Sequence, residues 1–409
     1  MRIWSYPGIY PFPEGNDHTT GIFIHKQNLA LKKIGADIVV VQPWNWAPAW
    51  PLSKLFAEWG EMRRNPRPKK RILDGLEVFH PQVFTPRPSR FFGKPYDFYL
   101  LNTLERFFNE MGFNPKKDVI HAQWLIPDGH FATLLAKRLG AKCSVEMQGD
   151  DIQIWPHNSK QHLDNALWTL ENSDLVLGCS DFLCNEAQKL FNKRLETHTI
   201  YTGIDLEKFK PCAESDKSEI RKKLGLKDED FLILNVGSSI ARKGWLELFQ
   251  AVGMLKQKHP NLKILAASGG LSEFKLYEKA REFGILENLI DLGQVPNQEL
   301  SKLYHACDIF CLPSYWEGLA NVLCEAMASG CAVVTTAVSG HPEVVVSGYS
   351  GELVQAKSVE SLTSALEKLI ENPMLRNELG KNARKMAETK IMSHEDNAKK
   401  LLSLFEKLF

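Results

Sequence analysis

The stretch Tyr315–Thr336, YWEGLANVLCEAMASGCAVVTT, constrains the fold more than any other segment of the chain. Leu319, Val322, Leu323, Ala326 and Met327 recur at three- and four-residue intervals, the period of one buried helix face. Gly330 stands where a helix C-cap belongs, and Cys331–Thr335 is a short apolar run that reads as a buried strand. A helix that hands the chain directly to a buried strand is the repeating unit of a parallel sheet covered by helices. Two carboxylates sit in the stretch, Glu317 ahead of the helix and Glu325 inside it, among small apolar neighbours. If the helix ran unbroken between them they would stand ~12 Å apart along its axis. Backbone N–H groups near Gly318, Leu319 and Ala320 would then be unpaired donors at a helix start, suited to an anion or to sugar oxygens. The plainer alternative is a solvated acid at 325 and a first-turn acid at 317 favoured by the helix dipole.

The same alternation runs through the chain. Ile3–Tyr6 reads as a first strand, followed by a Pro/Gly-rich loop, a helix beginning near Gly21, a stop at Gly35 and a second strand, Asp37–Gln42. Leu76–Val83, Asp118–Trp124, Leu175–Leu177 and His198–Tyr201 read as further strands, with helices near Tyr96–Met111 and Phe182–Phe191. A second series starts at Phe231–Val236, passes through GSSIARKG (Gly237–Gly244) into a helix at Trp245–Lys256, and continues with strands at Lys263–Ala267, Leu289–Leu292, Asp308–Leu312 and Gly351–Val354. Residues 358–388 read as helical and charged, and His394–Phe409 as an amphipathic helix. At 409 residues the chain is too long for one ordinary core and fits two α/β domains. There is no G-x-G-x-x-G, so the dinucleotide fingerprint is absent; Gly21 either brings a ligand close to backbone N–H groups or simply permits the turn.

Composition removes several classes. A net charge of +1 gives no global pull toward nucleic acid. The eight cysteines form no C-x-x-C pair and no Cys/His group of zinc spacing, and Cys307 and Cys311 read as small buried apolar residues. No run approaches the ~20 apolar residues of a membrane span, and the first residues lack the apolar core of a signal peptide, so a cytoplasmic enzyme is the expectation. Asp150–Asp151 is an acidic pair with no further oxygen ligands around it, and no metal site is expected. The unusual segment is 43–71. Trp44, Trp46, Trp50 and Trp59 precede Arg63, Arg64, Arg67, Lys69, Lys70 and Arg71. That combination suits a membrane headgroup layer, a sugar platform or a phosphate-bearing acceptor, or else a solvated basic loop over a local aromatic cluster.

The motif P-S-x-x-E-G-x-x-x-x-x-x-E-A-M-A-x-G, spelled by Pro313, Ser314, Glu317, Gly318, Glu325, Ala326, Met327, Ala328 and Gly330, resembles the retaining glycosyltransferases of family 4. TGIDLEKFKP (Thr202–Pro211) resembles the segment that joins that family's two domains, with Thr202 in place of the usual Asn. The resemblance is dense from Lys210 to Val354 and thinner over the first 205 residues. It implies the GT-B fold: two doubly wound, Rossmann-like domains facing each other across a cleft. Residues 1–205 would be the acceptor domain, 206–389 the nucleotide-sugar domain, and 390–409 a helix packing back on the first.

The resemblance also implies roles. Arg242 and Lys243 would contact the nucleotide diphosphate and stabilise it as it leaves, with both side chains in an open cleft. Glu317 would orient the donor sugar and Glu325 the ribose. Gly21, Gly237, Gly269, Val295, Gly318, Leu319, Ala320 and Asn321 would complete the donor site. His121 would serve the reaction centre, and Gly21, His121, Gln123, Gln148 and Asp151 would line the acceptor side. Gln123 and Gln148 depart from the family pattern, where histidines stand, and glutamine cannot titrate. His130 is a neighbouring imidazole that fills the gap only if geometry allows. The implied activity is transfer of a sugar from a nucleoside diphosphate donor to a sugar, lipid-linked or other small acceptor, without cofactor or metal and with peripheral membrane contact as a further expectation. Two other readings stay open: a nucleotide-sugar 2-epimerase on the same architecture, and a non-catalytic sugar-nucleotide-binding protein.

Overall fold

The computed structural model describes residues 1–12, 20–46, 67–84, 93–269, 271 and 275–409, leaving aside the side chains of 93–96. Trp50, Trp59, Arg63 and Arg64 lie outside the described residues. The chain divides into two compact units, Met1–Tyr201 with His394–Phe409, and Thr202–Ser393.

In the first unit the strands are β1 (Arg2–Tyr6), β2 (Asp37–Val41), β3 (Trp44–Trp46), β4 (Lys70–Leu73), β5 (Leu76–Phe79), β6 (Gln82–Phe84), β7 (Val119–Ala122), β8 (Lys142–Met147), β9 (Leu175–Gly178) and β10 (Thr197–Thr199). Eight of them form one sheet in the order β10-β9-β8-β7-β1-β2-β5-β4, while β3 and β6 pair separately. The central strands are buried along nearly their whole length because helices cover both faces, which is why they read as continuous apolar runs. On one face Leu104 and Phe108 of helix Gly93–Glu110, Leu135 of helix His130–Leu139 and Leu170 of helix Lys160–Asn172 pack on Trp4, Ile120 and Val145. On the other, Leu31 of helix Ile22–Lys33 and Leu401 and Phe405 of helix His394–Glu406 pack on Ile3, Val119 and Leu177.

The sheet departs from expectation at one edge. The run 76–83 is two strands, broken at His80 and Pro81, and β4 forms an antiparallel hairpin with β5. The turn is made by Asp74 and Gly75, both at positive φ, and the charged side chains of β4 concealed it in the sequence. This changes the reading of the basic segment. Arg71 is buried, bonded to His80 Nε2 and to the Pro11 carbonyl. The Arg67 guanidinium lies 4.4 Å from the Phe12 ring and 4.1 Å from the Trp44 ring, and donates to Gln42 Oε1 at 2.6 Å. Both cations are structural ties within the unit and not part of an outward basic surface.

The second unit holds β11 (Phe231–Val236), β12 (Leu262–Ala267), β13 (Leu289–Asp291), β14 (Ile309–Leu312), β15 (Ala332–Thr336) and β16 (Glu352–Val354). Their order is β13-β12-β11-β14-β15-β16, all parallel, the arrangement of a doubly wound α/β sheet. The winding reverses between β11 and β14, so the loops after these two strands part and leave a crevice at their C-terminal ends. In the first unit the reversal falls between β1 and β7.

The β11 loop reaches the crevice because of one glycine. Gly244 has φ +69°, and a Cβ there would meet the Pro313 carbonyl oxygen at 2.0 Å. Gly244→Ala is therefore expected to lower the thermal stability of the chain by more than ~2 kcal/mol, through left-handed strain and this backbone clash together. An unfolding curve that overlays wild type would show that the two loops are not in contact as described.

Candidate active site

The crevice of the second unit is lined by an ion cluster. After β11 the chain turns through Ala241–Lys243 and enters helix Trp245–Leu255; after β14 it runs through Pro313–Ala320 into helix Asn321–Ala328. The two loops are joined by Tyr315 N–H donating to the Arg242 carbonyl at 2.7 Å. Glu317 then receives both cations of the first loop. Lys243 Nζ stands 2.6 Å from its Oε1 and Arg242 Nη1 3.1 Å from its Oε2. Glu317 is only 8 % exposed. Burial alone would raise its pKa, but Lys243 and Arg242 more than offset this and hold it below the ordinary carboxylate range. Two cations thus face this one carboxylate, with Glu247 close by as the acceptor of the Tyr315 hydroxyl at 2.6 Å.

The surroundings keep that cluster in place. Gly237 lies beside the Lys243 stem, where an added Cβ would make only ordinary contact with Cε at 3.5 Å, so its φ of +152° and not lack of space favours glycine there. Ser339 Oγ accepts from the Glu317 N–H at 3.2 Å, and Gly340 N–H donates to the Gly318 carbonyl at 3.0 Å, tying a third loop to the first two. His341 is fully buried; burial lowers its pKa to about 4, so the ring is neutral beside Glu317. Lys243 is itself buried and the Arg242 side chain is 24 % exposed, so the two cations are less open than the cleft position expected for both.

Glu325 is also buried, at 4 % exposure, on the helix that follows. Tyr304 Oη donates to its Oε2 at 3.1 Å, and Asn297 Nδ2 lies 3.5 Å from its Oε1. The helix begins at Asn321 and not at Gly318, so Glu317 and Glu325 are not on one continuous helix. Leu319, Ala320 and Asn321 still bring backbone N–H groups to its start, with Ala320 as the extended cap residue. An added Cβ at Gly269 would face open space, so chain packing does not require glycine there. Val295 packs partly buried on the core of the unit. Sequence reasoning missed four polar side chains at these strand ends. Asn235, Ser239, Ser268 and Ser314 are buried with side-chain polar atoms that have no hydrogen-bond partner among the described residues. A polar residue inside or just beyond a buried strand, as in FLILNV, is the signal that would have found them.

The residues expected on the acceptor side belong to a buried network in the first unit. Gln123 is fully buried: its Oε1 accepts from Ser5 Oγ at 3.1 Å, and its Nε2 reaches Gln27 Oε1 at 3.3 Å and Asn28 Oδ1 at 3.4 Å. Gln27 Nε2 and Gln148 Nε2 both donate to Glu146, each at 3.0 Å. Glu146 is the hub, and it was missed although a carboxylate in the buried run CSVEM is a visible anomaly. His121 is fully buried, with Nδ1 3.3 Å from Ser144 Oγ, Nε2 3.4 Å from Glu146 Oε2 and its ring against Phe405. It supports the sheet and does not line a surface, which corrects its placement among residues that touch substrate.

Asp151 is corrected on the same ground. Its carboxylate is buried and accepts from the N–H groups of Leu125, Gln148 and Gly149 at 2.7, 3.0 and 2.7 Å, clasping the loops after β7 and β8. Asp128 accepts from Gly8 N–H at 2.6 Å, binding the β1 loop to the β7 loop. Burial pushes Asp128 up to about 7 and Asp151 up to about 6, against the hydrogen bonds that favour their charged forms. Gly21 has φ +70° and a Cβ there would meet the Ile9 carbonyl at 2.6 Å, so packing of the β1 loop explains the glycine. Gln148 keeps partial exposure. His130 bonds Thr169 Oγ1 through Nδ1 at 3.2 Å, and burial holds its pKa below the usual imidazole value.

Among the described residues, His259, Glu367 and Glu371 have side chains close enough to share a metal ion. Lys258 already pairs with both carboxylates, so the group is an ion-pair cluster on the second unit. No helix of the described residues is long and apolar enough to cross a membrane.

The Glu317 cluster makes a quantitative statement. Its pKa is lowered by folding, so its stabilisation is present above its ordinary value of 4.5 and is lost as pH falls through the folded value. A double-mutant cycle on Lys243→Ala and Glu317→Gln at neutral pH is expected to give a coupling of ~1–3 kcal/mol in unfolding free energy, shrinking toward zero in acid. Additive effects at neutral pH would mean that the pair is not formed.

Comparison with known proteins agrees with this architecture. Residues 216–386 match the family described as Glycosyl transferases group 1. The chain is 28% identical over 372 residues to the putative teichuronic acid biosynthesis glycosyltransferase TuaC of Bacillus subtilis (strain 168), covering 90% of this chain and 88% of that protein. Among solved structures, sucrose-phosphate synthase of Thermosynechococcus elongatus aligns with a TM-score of 0.78 at 18% identity, over 100% of this chain and 99% of the other. HepE of Anabaena, solved in complex with UDP, aligns with a TM-score of 0.74 at 18% identity over 100% of both chains. The chain is a glycosyltransferase with the GT-B fold, and its residues 216–386 match the glycosyl transferases group 1 family.

Proposed function

We propose that this glycosyltransferase is a retaining enzyme of family 4 that takes its sugar from a nucleoside diphosphate donor, held by the second unit, and passes it to an acceptor held by the first. The observation that carries the reading is the Arg242–Lys243–Glu317 cluster at the sheet reversal of the second unit, among buried polar atoms that lack partners among the described residues. HepE, which aligns over the whole chain, is described in complexes with UDP and with UDP-glucose, which supports the same ligand class here.

The chemistry follows from charge. When the glycosidic bond breaks, negative charge grows on the departing phosphate oxygens, and fixed cations aimed at those oxygens lower the barrier. Arg242 and Lys243 supply the cations. A diphosphate competes with Glu317 for their N–H groups, and the displaced carboxylate becomes an acceptor for hydroxyls of the donor sugar. Glu325, held on the following helix by Tyr304 and facing Asn297, accepts the ribose hydroxyls. The N–H groups of Leu319, Ala320 and Asn321 add donors at the helix start. Departure and attack on one face of the sugar, through an oxocarbenium-like state, keep the anomeric configuration. Because the protein's own cations neutralise the leaving group, turnover needs no metal.

Arg242→Ala is expected to lower kcat by roughly a hundredfold to a thousandfold, equivalent to ~3–4 kcal/mol, with a smaller loss of stability than Lys243→Ala. Wild-type turnover of UDP- or GDP-sugars is expected to persist in excess EDTA. An Arg242→Ala enzyme within a few-fold of wild type would remove the basic pair from the reaction, and activity lost in EDTA and restored by magnesium or manganese would remove the metal-independent mechanism.

A further inference from the structure

The first unit has a cavity of about 310 Å³ that the strand-end network does not use. It opens where helices Gly93–Glu110, His130–Leu139 and Lys160–Asn172 come together beside Trp155. Its volume lies at the lower end of small-ligand pockets, of order 300–1,000 Å³. We propose that this cavity binds one uncharged sugar residue, stacked on Trp155 and hydrogen-bonded by Asp97, Gln161, His162 and Asn165.

A sugar ring presents an apolar C–H face and an edge of hydroxyls that both donate and accept. The cavity has the matching halves. Trp155, Phe131 and Ile126 form an apolar wall. Trp155 is held in place edge-on by Trp124, with ring centroids 4.6 Å apart at 62°, so it offers a fixed platform. The polar side comes from successive turns of one helix. Ser159 caps that helix by accepting from the His162 N–H at 3.2 Å, and its Oγ also lies 3.1 Å from His162 Nδ1. His162 is thereby oriented with Nε2 left for a ligand. The side-chain amides of Gln161 and Asn165 and the carboxylate of Asp97 have no hydrogen-bond partner among the described residues. Two amides, one imidazole and one carboxylate supply donors and acceptors in alternation, which is what hydroxyl groups require.

The chemistry of the lining selects against charged ligands. No Lys or Arg is among the described residues that line it, so a phosphate or carboxylate would enter without a counter-charge. Burial also holds Asp97 above the usual carboxylate range and His130 below the usual imidazole range, so both are biased toward their uncharged forms. The proposal rests on the first unit alone and does not depend on the identity of the donor.

The test is titration of the full chain with the methyl glycosides of glucose, galactose, mannose and N-acetylglucosamine, followed by tryptophan fluorescence and saturation-transfer NMR. At least one glycoside is expected to bind saturably at millimolar concentration, and Trp155→Ala and Asn165→Ala each to weaken it about tenfold or more. UDP affinity measured on the same variants is expected to stay unchanged, so failure of the donor assignment and failure of this proposal read out separately. Gln161→Ala, at an exposed position, serves as the third variant if Trp155→Ala does not fold. The absence of saturable binding by any of the four glycosides, or binding that survives in every variant, overturns the proposal.

Discussion

A buried carboxylate gripped by two cations holds the second unit's functional end together. Glu317 alone would be costly to bury, and Lys243 alone equally so, since each isolated charge loses its hydration. Together with Arg242 they join the loop after β11 to the loop after β14, the two loops that the sheet order forces apart. Gly244 lets the first loop lie against Pro313, where any Cβ would strike the Pro313 carbonyl. The paired cations are the feature that a soluble core would avoid and an anion-binding crevice needs.

The first unit solves the same topological problem differently. Its sheet reverses between β1 and β7, and the loops there are joined by Asp128 on Gly8 and by Ser5 on Gln123. No basic pair takes part in those ties. The polar groups pass inward to Glu146 instead, through Gln27 and Gln148, and the network ends on His121 against the terminal helix. One unit thus gathers cations at its strand ends, and the other buries carboxylates held by amides and backbone N–H groups.

The legible part of this molecule was its periodicity. Apolar runs such as FLILNV and DIVVV, each closed by a turn and followed by a helical repeat, could only be parallel strands under helices, and the domain-joining segment and basic pair were visible in their motifs. Pairings between distant residues were not legible. Nothing local says that Glu146 will be met by Gln27, or Glu325 by Tyr304, because register and crossover place them. The β4 hairpin was hidden because its strand carries lysine and arginine, although Arg71 turns inward. His121 and Asp151 were placed at the site by the family resemblance, and burial shows that packing claims them first.

The most direct measurement of the central claim is hydrogen–deuterium exchange on the full chain with and without a saturating nucleoside diphosphate. The account predicts slowed exchange concentrated in peptides spanning residues 235–245 and 314–325, with residues 119–151 little changed. Protection that falls mainly in the first unit, or none at all under conditions where binding is independently detected, would contradict it.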